Sequence, residues 1–140
     1  MKKVVFVCTG NTCRSPMAEG ILNRISAEKG LDITAESAGV TAFTGDAANK
    51  NAILALKEIG IDISNHRSRK VSNYIFEEAD IVVPMTADHA VYLIQLGCPR
   101  EKIYLSSVNV TDPYGAGLDV YRKCRDILTD LCNEVAEVLK

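Results

Sequence analysis

Residues 8–15 are Cys8-Thr9-Gly10-Asn11-Thr12-Cys13-Arg14-Ser15, the most informative segment of this 140-residue chain. The segment follows an apolar run at 4–7, which is typical of a buried strand, and precedes residues 16–19, which are typical of a helix start. A loop between a strand and a helix N-terminus offers backbone N–H groups to an anion. Because a thiol lies at the strand end and a guanidinium at the helix start, the segment is a candidate site for attack on phosphate.

Apolar patterning outside this segment predicts an α/β fold. Three further segments are typical of strands, at 33–37, 81–83 and 103–105. Each is followed by apolar residues at helical spacing, over 47–59, 86–96 and 121–138. Alternating strands and helices predict a parallel sheet with helices on both faces, and the length predicts a single domain over residues 1–140.

Local signals place several helix ends. Ser15 is expected as the N-cap of the first helix and Pro16 as its first residue, and Gly30 is expected to end it. Thr86 is expected to cap a later helix, which carries His89, and we place the His89 side chain at the surface.

Composition narrows the classes of function. The net charge of −2 and the pI of about 5.7 give no electrostatic support for nucleic-acid binding. No apolar run approaches the roughly 20 residues of a membrane span, and we expect the N-terminus to form the first strand and not a signal peptide. Five cysteines without framework spacing predict reduced thiols in the cytoplasm. Neither a CxxC pair nor a cysteine–histidine cluster is present, so we expect no metal and no cofactor. We also expect the protein to be a monomer.

The residue types in the loop suit phosphoryl transfer. Thiolate is the nucleophilic form of cysteine, and the helix N-terminus, Arg14 and the Ser15 hydroxyl all favour it at Cys8. The planar fork of Arg14 can bind two phosphoryl oxygens. Gly10 permits close backbone approach, and Asn11 tolerates a left-handed conformation. We predict that the loop holds the phosphoryl oxygens through Thr9, Gly10, Asn11, Thr12, Cys13 and Ser15.

An acid must protonate the leaving group, and Asp112 is the strongest candidate. It stands in Asp112-Pro113-Tyr114-Gly115, where proline rigidifies a loop that carries a carboxylate. An ordinary turn is the alternative, since Asp-Pro is common in turns.

Residues 8–19 and the later Asp112-Pro113-Tyr114 resemble the low-molecular-weight protein tyrosine phosphatases, and the similarity in length and element order covers the whole chain. The resemblance implies a four-stranded parallel sheet with helices on both faces and the phosphate-binding loop after the first strand. It implies that Cys8 is the nucleophile, that Arg14 clamps phosphate, and that Asp112 acts as acid and then as base around a cysteinyl-phosphate.

The same resemblance implies supporting roles for other side chains. Ser15 would support the thiolate, Asn11 would hold the shape of the loop, and His66 would bond into the loop network. Cys13 would form a reversible disulfide with Cys8, although a packed spectator thiol is an equal alternative. The basic segment 66–70 would attract phosphorylated proteins or would simply be solvated.

Two positions resemble the bacterial protein arginine phosphatase branch of this family: Thr12, where tyrosine phosphatases carry a branched aliphatic residue, and Gly115. A hydroxyl near the nucleophile suits a polar guanidinium leaving group, and Tyr114 would form a wall available for stacking. We therefore predict hydrolysis of phosphoarginine in protein substrates, with inorganic phosphate as product. The alternative function is hydrolysis of phosphotyrosine. Two remote alternatives are arsenate reduction and a non-hydrolytic role as a phosphocysteine carrier.

Overall fold

A computed structural model describes residues 1–140 as three strands, five α-helices and one short 3₁₀ turn. None of the helices combines the length and the apolar character needed to cross a bilayer. In chain order the elements are β1 Lys2–Cys8, α1 Arg14–Lys29, β2 Ile33–Gly39, α2 Lys50–Lys57, α3 Asn73–Glu78, β3 Ile81–Pro84, α4 Ala87–Gln95, the 3₁₀ turn Arg100–Lys102, and α5 Leu118–Val138.

The central strand β1 organises the molecule. It pairs in parallel with β2 on one side and with β3 on the other, in the order β2-β1-β3. Alternate side chains of β1 enter two separate cores, so helices cover both faces of the sheet as predicted. Val4, Phe6 and Cys8 pack in the core shared with α1, α2 and α5. Val5 and Val7 pack in the core shared with α3 and α4.

The prediction of a fourth strand at 103–105 is wrong. Only one pair of residues, Val82 and Ile103, forms a parallel bridge there, with the Tyr104 N–H donating to the Val82 carbonyl at 2.9 Å. The Tyr104 hydroxyl instead donates to Glu134 on α5, and Leu105 is half-exposed. Because the next side chain finds no core to enter, the ladder stops after a single bridge.

All four predicted helices are present, but one predicted cap is wrong. α1 begins at Arg14, and its N-cap position is occupied by Cys13 without a side-chain cap. Ser15 therefore lies inside the first turn, where its hydroxyl is directed to the Cys8 sulfur. Gly30 ends α1 at φ +64°, and the Thr86 hydroxyl caps α4, both as predicted. The six-residue helix α3 was not predicted, because its pattern spans too few turns to be recognised.

The carboxyl end of β2 lies against the loop that follows β1. A Cβ atom added at Gly39 would lie 2.6 Å from the carbonyl oxygen of Thr9 and 2.9 Å from the backbone nitrogen of Asn11. Both are main-chain atoms, which cannot rotate aside as a flexible side chain would. Glycine at position 39 is therefore what allows strand and loop to approach this closely.

We expect Gly39→Ala to lower the free energy of unfolding by about 1–3 kcal/mol, the usual cost of overpacking a tightly packed site. Gly10→Ala is the matched control, since a Cβ there meets only the Thr12 Oγ1, at 3.8 Å. Urea unfolding of both variants measures the difference. Equal stability of the two variants would contradict the steric argument.

Candidate active site

A cavity of about 240 Å³ opens at the carboxyl end of β1. Its floor is formed by buried groups, with Cys8 2% and Arg14 4% exposed. Its rim is open, since the Asp112 side chain is 50% and Tyr114 74% exposed. The structure thus brings the residues predicted from distant parts of the sequence into one cavity, which is lined by Cys8, Thr9, Gly10, Thr12, Cys13, Arg14, Asp112 and Tyr114.

Hydrogen bonds around Asn11 fix the direction of the bond to the Cys8 sulfur. Asn11 Oδ1 accepts from the backbone N–H of Arg69 at 2.9 Å, so the other terminal atom is the amide nitrogen. That nitrogen donates to Ser15 Oγ at 2.8 Å and to Ser37 Oγ at 3.0 Å. Because Ser15 Oγ already accepts from Asn11, its own proton is available to Cys8 Sγ, 2.8 Å away. The sulfur is therefore the acceptor, which is the role that a thiolate fills.

The backbone of the loop turns its carbonyl groups outward. The Thr9 carbonyl accepts from Thr41 N–H at 3.0 Å, and the Thr12 carbonyl accepts from Asn49 N–H at 2.8 Å. Asn11 has φ +57°, the one left-handed residue other than glycine. The N–H groups of residues 9–15 donate to no other group of the protein. A run of free N–H groups at a helix N-terminus provides the donors that an oxyanion needs.

Arg14 is held at three points. Its Nη1 donates to the Val110 carbonyl at 3.1 Å, and its Nη2 donates to Thr9 Oγ1 at 3.3 Å. Asp112 Oδ2 lies 3.6 Å from the same Nη2. A buried guanidinium is stable only where its donors and charge are matched, and these contacts supply part of that match. The cation is thereby fixed beside the cavity floor.

Asp112 reaches the cavity from the loop before α5. Its Oδ1 accepts from the Tyr114 N–H at 3.0 Å, which makes a local turn as the Asp-Pro sequence suggested. The other oxygen faces Arg14. The carboxylate is thus held over the cavity while half of its surface remains in solvent.

His66 and Arg69 belong to the loop support. His66 Nε2 lies 2.8 Å from the Asn11 carbonyl oxygen, the contact that the resemblance implied. Arg69 donates through Nε to the Ser37 carbonyl and forms an ion pair with Glu36 at 2.8 Å. The Ser68 hydroxyl is buried and donates to the Phe43 carbonyl. Most of the segment 66–70 therefore stabilises the loop, and Arg67 and Lys70 are its exposed cations.

The prediction that His89 lies at the surface is wrong. The side chain is buried, with Nε2 2.9 Å from Thr9 Oγ1 and Nδ1 3.1 Å from Thr86 Oγ1. Burial, and then the nearby Arg14 cation, lower the pKa of the His89 imidazole. Thr86 as an N-cap could have placed His89 on the first turn of α4, but no local signal links position 89 to position 9.

The remaining thiols differ from Cys8 in their surroundings. Burial raises the pKa of Cys13, although the Tyr121 hydroxyl contacts its sulfur at 3.3 Å. Burial raises the pKa of Cys124 to about 12 and also raises those of Cys98 and Cys132. No group of three or more His, Cys, Asp and Glu side chains is arranged to hold a metal ion.

The family model for low molecular weight phosphotyrosine protein phosphatases matches residues 3–140, and the chain belongs to this family. The protein-arginine-phosphatase of Bacillus subtilis is 39% identical over 98% of this chain and 96% of that protein. An arsenate reductase of Staphylococcus aureus is 36% identical over 89% of this chain and 88% of that protein. A solved low molecular weight protein tyrosine phosphatase from T. tengcongensis has a TM-score of 0.95 at 41% identity, covering 99% of this chain and 100% of that one.

Glu19 on α1 extends the hydrogen-bond network behind the loop, and its carboxyl group makes the stability of the folded chain depend on pH. Its Oε1 accepts from Ser37 Oγ at 2.7 Å. Burial raises the pKa of Glu19 above its ordinary value of 4.5, despite that hydrogen bond. The folded chain therefore binds this proton more tightly than the unfolded chain, so the contribution of Glu19 to stability falls as pH rises through 4.5 toward the raised value.

We expect Glu19→Gln to remove this slope, because glutamine does not titrate and its oxygen can still accept from Ser37. The gain in unfolding free energy over wild type should grow as pH rises through that window and stay constant above it. Glu28→Gln, an exposed position on the same helix, controls for the loss of one charge. A difference between wild type and Glu19→Gln that does not change with pH would refute this assignment.

Proposed function

We propose that this chain hydrolyses phosphoarginine in proteins through a cysteinyl-phosphate intermediate, as a monomer in the cytoplasm. The observation that carries the proposal is the convergence of the Cys8 sulfur, the Arg14 guanidinium and the Asp112 carboxylate on one cavity, beside the free N–H groups of residues 9–15. All five cysteines are free, which is consistent with a reducing compartment.

In the first step the Cys8 thiolate attacks phosphorus and an S–P bond forms. The bond from phosphorus to the leaving nitrogen breaks, and its electron pair goes to that nitrogen, which takes a proton from Asp112. The N–H groups of the loop and the fork of Arg14 hold the equatorial oxygens, where negative charge is greatest. For this step Arg14 must exchange part of its contact with Asp112 for contact with the phosphoryl group.

In the second step water attacks the phosphorus of the cysteinyl-phosphate. Asp112, now a carboxylate, accepts a proton from that water, and the S–P bond breaks. The electron pair returns to sulfur, where the Ser15 hydroxyl again donates to the thiolate. Inorganic phosphate leaves, and the starting state is restored.

Two observations favour phosphoarginine over phosphotyrosine. Thr12 lines the same cavity as Cys8, so a side chain with a hydroxyl borders the space that the phosphoryl group would enter. Protonated Asp112 can donate its proton to the leaving nitrogen and, once ionised, can pair with the released guanidinium, and Tyr114 can stack on the guanidinium plane. The similarity to the Bacillus subtilis protein-arginine-phosphatase over nearly the full length agrees with this choice.

The other thiols argue against arsenate reduction, despite the similar arsenate reductase. A relay of disulfides needs accessible thiols that can approach one another. Cys124 and Cys132 are buried on α5, and their separation of two helical turns is about 12 Å. Cys98 is buried in the opposite core. The carboxylate of Asp112 at the cavity likewise argues against a carrier, which needs no hydrolytic acid.

Replacing the nucleophile tests the proposed chemistry. We expect Cys8→Ser to lose at least about 10³-fold in phosphate release from phosphoarginine protein, because a serine hydroxyl is a far weaker nucleophile without an adjacent base. Asp112→Asn should slow release strongly and let the cysteinyl-phosphate accumulate, which intact-protein mass spectrometry detects as added phosphate. Undiminished hydrolysis by Cys8→Ser would refute the mechanism.

Thr12→Ile tests the choice of substrate. We expect kcat/KM to fall for phosphoarginine and to rise or hold for phosphotyrosine, so that the ratio shifts at least about tenfold toward tyrosine, the scale of one lost polar contact. Thr12→Ser, which keeps the hydroxyl, is the matched control. An unchanged arginine preference in Thr12→Ile would show that Thr12 is not the determinant.

A further inference from the structure

The Thr9 hydroxyl joins His89 to Arg14. Thr9 Oγ1 lies 3.3 Å from Arg14 Nη2 on one side and 2.9 Å from His89 Nε2 on the other. Beyond the imidazole, Nδ1 lies 3.1 Å from Thr86 Oγ1, which also accepts from the His89 backbone N–H. A continuous line of contacts thus runs from the guanidinium to the N-terminus of α4.

The Arg14 end of this line fixes the role of the Thr9 oxygen. A guanidinium has donors only, so Thr9 Oγ1 must accept from Arg14. The Thr9 hydroxyl proton is then available to His89 Nε2, which accepts it in the tautomer that carries its proton on Nδ1. That proton is donated to Thr86 Oγ1. In this arrangement the Thr9 oxygen is turned toward Arg14 and its proton toward His89.

We infer that His89 is a positioning residue that, through the Thr9 hydroxyl, orients the Arg14 guanidinium for the phosphoryl group. The inference rests on the role of Arg14 as phosphate clamp in the proposed function. Thr9 is the side chain that holds Nη2 from the loop itself, while the Val110 carbonyl holds Nη1. With both ends fixed, the fork loses less freedom when it binds two oxygens.

Three charged side chains lie around His89. Arg14 faces it from α1, Asp88 lies beside it on α4, and Asp112 faces it from the loop before α5. Burial and the Arg14 cation outweigh the two carboxylates and lower the pKa of His89. In acid, an imidazolium would donate from Nε2 to Thr9, which would turn the Thr9 proton away and add a second cation near Arg14. Phosphate binding should therefore weaken in acid through His89.

The experiment is a double-mutant cycle assayed with a small aryl phosphate and with inorganic phosphate as inhibitor. We expect His89→Leu to lower kcat/KM about tenfold and to weaken inhibition by phosphate about as much, while His89→Gln, which keeps a neutral acceptor, retains most of both. In a Thr9→Val background, where the hydroxyl is already absent, His89→Leu should add less than about a twofold effect.

A second measurement uses the unaltered protein and so does not depend on variants that fold. In ¹⁵N NMR spectra at neutral pH, the His89 ring should carry its proton on Nδ1, and Nε2 should be unprotonated. The acid limb of the kcat/KM profile should also lose one ionisation in His89→Gln. Equal losses from His89→Leu in both Thr9 backgrounds, or a proton on Nε2 at neutral pH, would overturn the inference. If the wild type neither hydrolyses the aryl phosphate nor binds phosphate, the proposed function fails instead.

Discussion

The carboxamide of Asn11 is the interaction on which the site depends. It uses its oxygen and both of its amide hydrogens at once, toward Arg69, Ser15 and Ser37. A buried amide that is fully bonded has one orientation, and that orientation determines that Ser15 donates toward Cys8. The left-handed φ of +57° at Asn11 turns its carbonyl to His66. One side chain thus sets both the shape of the loop and the polarity of its hydrogen bonds.

This arrangement needs the strand and loop to be rigid, and the sheet provides that rigidity. β1 is buried on both faces, so its end is fixed by two independent cores. Gly39 lets the end of β2 lie directly against the loop backbone. The Thr9, Asn11 and Thr12 carbonyls accept hydrogen bonds from outside the loop, and the N–H groups of residues 9–15 donate to no other group of the protein. The buried Arg14 cation adds charge to the same place, so an anion gains from several fixed donors at little cost in reorganisation.

Sequence alone predicted the parts of the site that are local. Residues 8–15, the end of α1 at Gly30 and the long amphipathic α5 each carry their signal within a few turns of chain. His66 required a family resemblance. The structure corrected what depends on distant partners: Ser15 is drawn from a capping role to the sulfur, and residues 103–105 form one bridge where a strand was predicted. His89 could not be found, because its partner Thr9 is 80 residues away.

The surroundings of the five cysteines support Cys8 as the proposed nucleophile. Cys124 and Cys132 lie inside the apolar core, where burial raises their pKa values and keeps them protonated. Cys13 lies in the same loop and on the same cavity, but burial raises the pKa of its thiol despite a contact with the Tyr121 hydroxyl. Cys8 also lies on the cavity, and the Ser15 hydroxyl, whose oxygen already accepts from Asn11, has its proton available to the Cys8 sulfur at 2.8 Å. Cys8 therefore differs from the other thiols by its position at the end of β1, on the cavity. Cys124 and Cys132 pack as apolar side chains in the core.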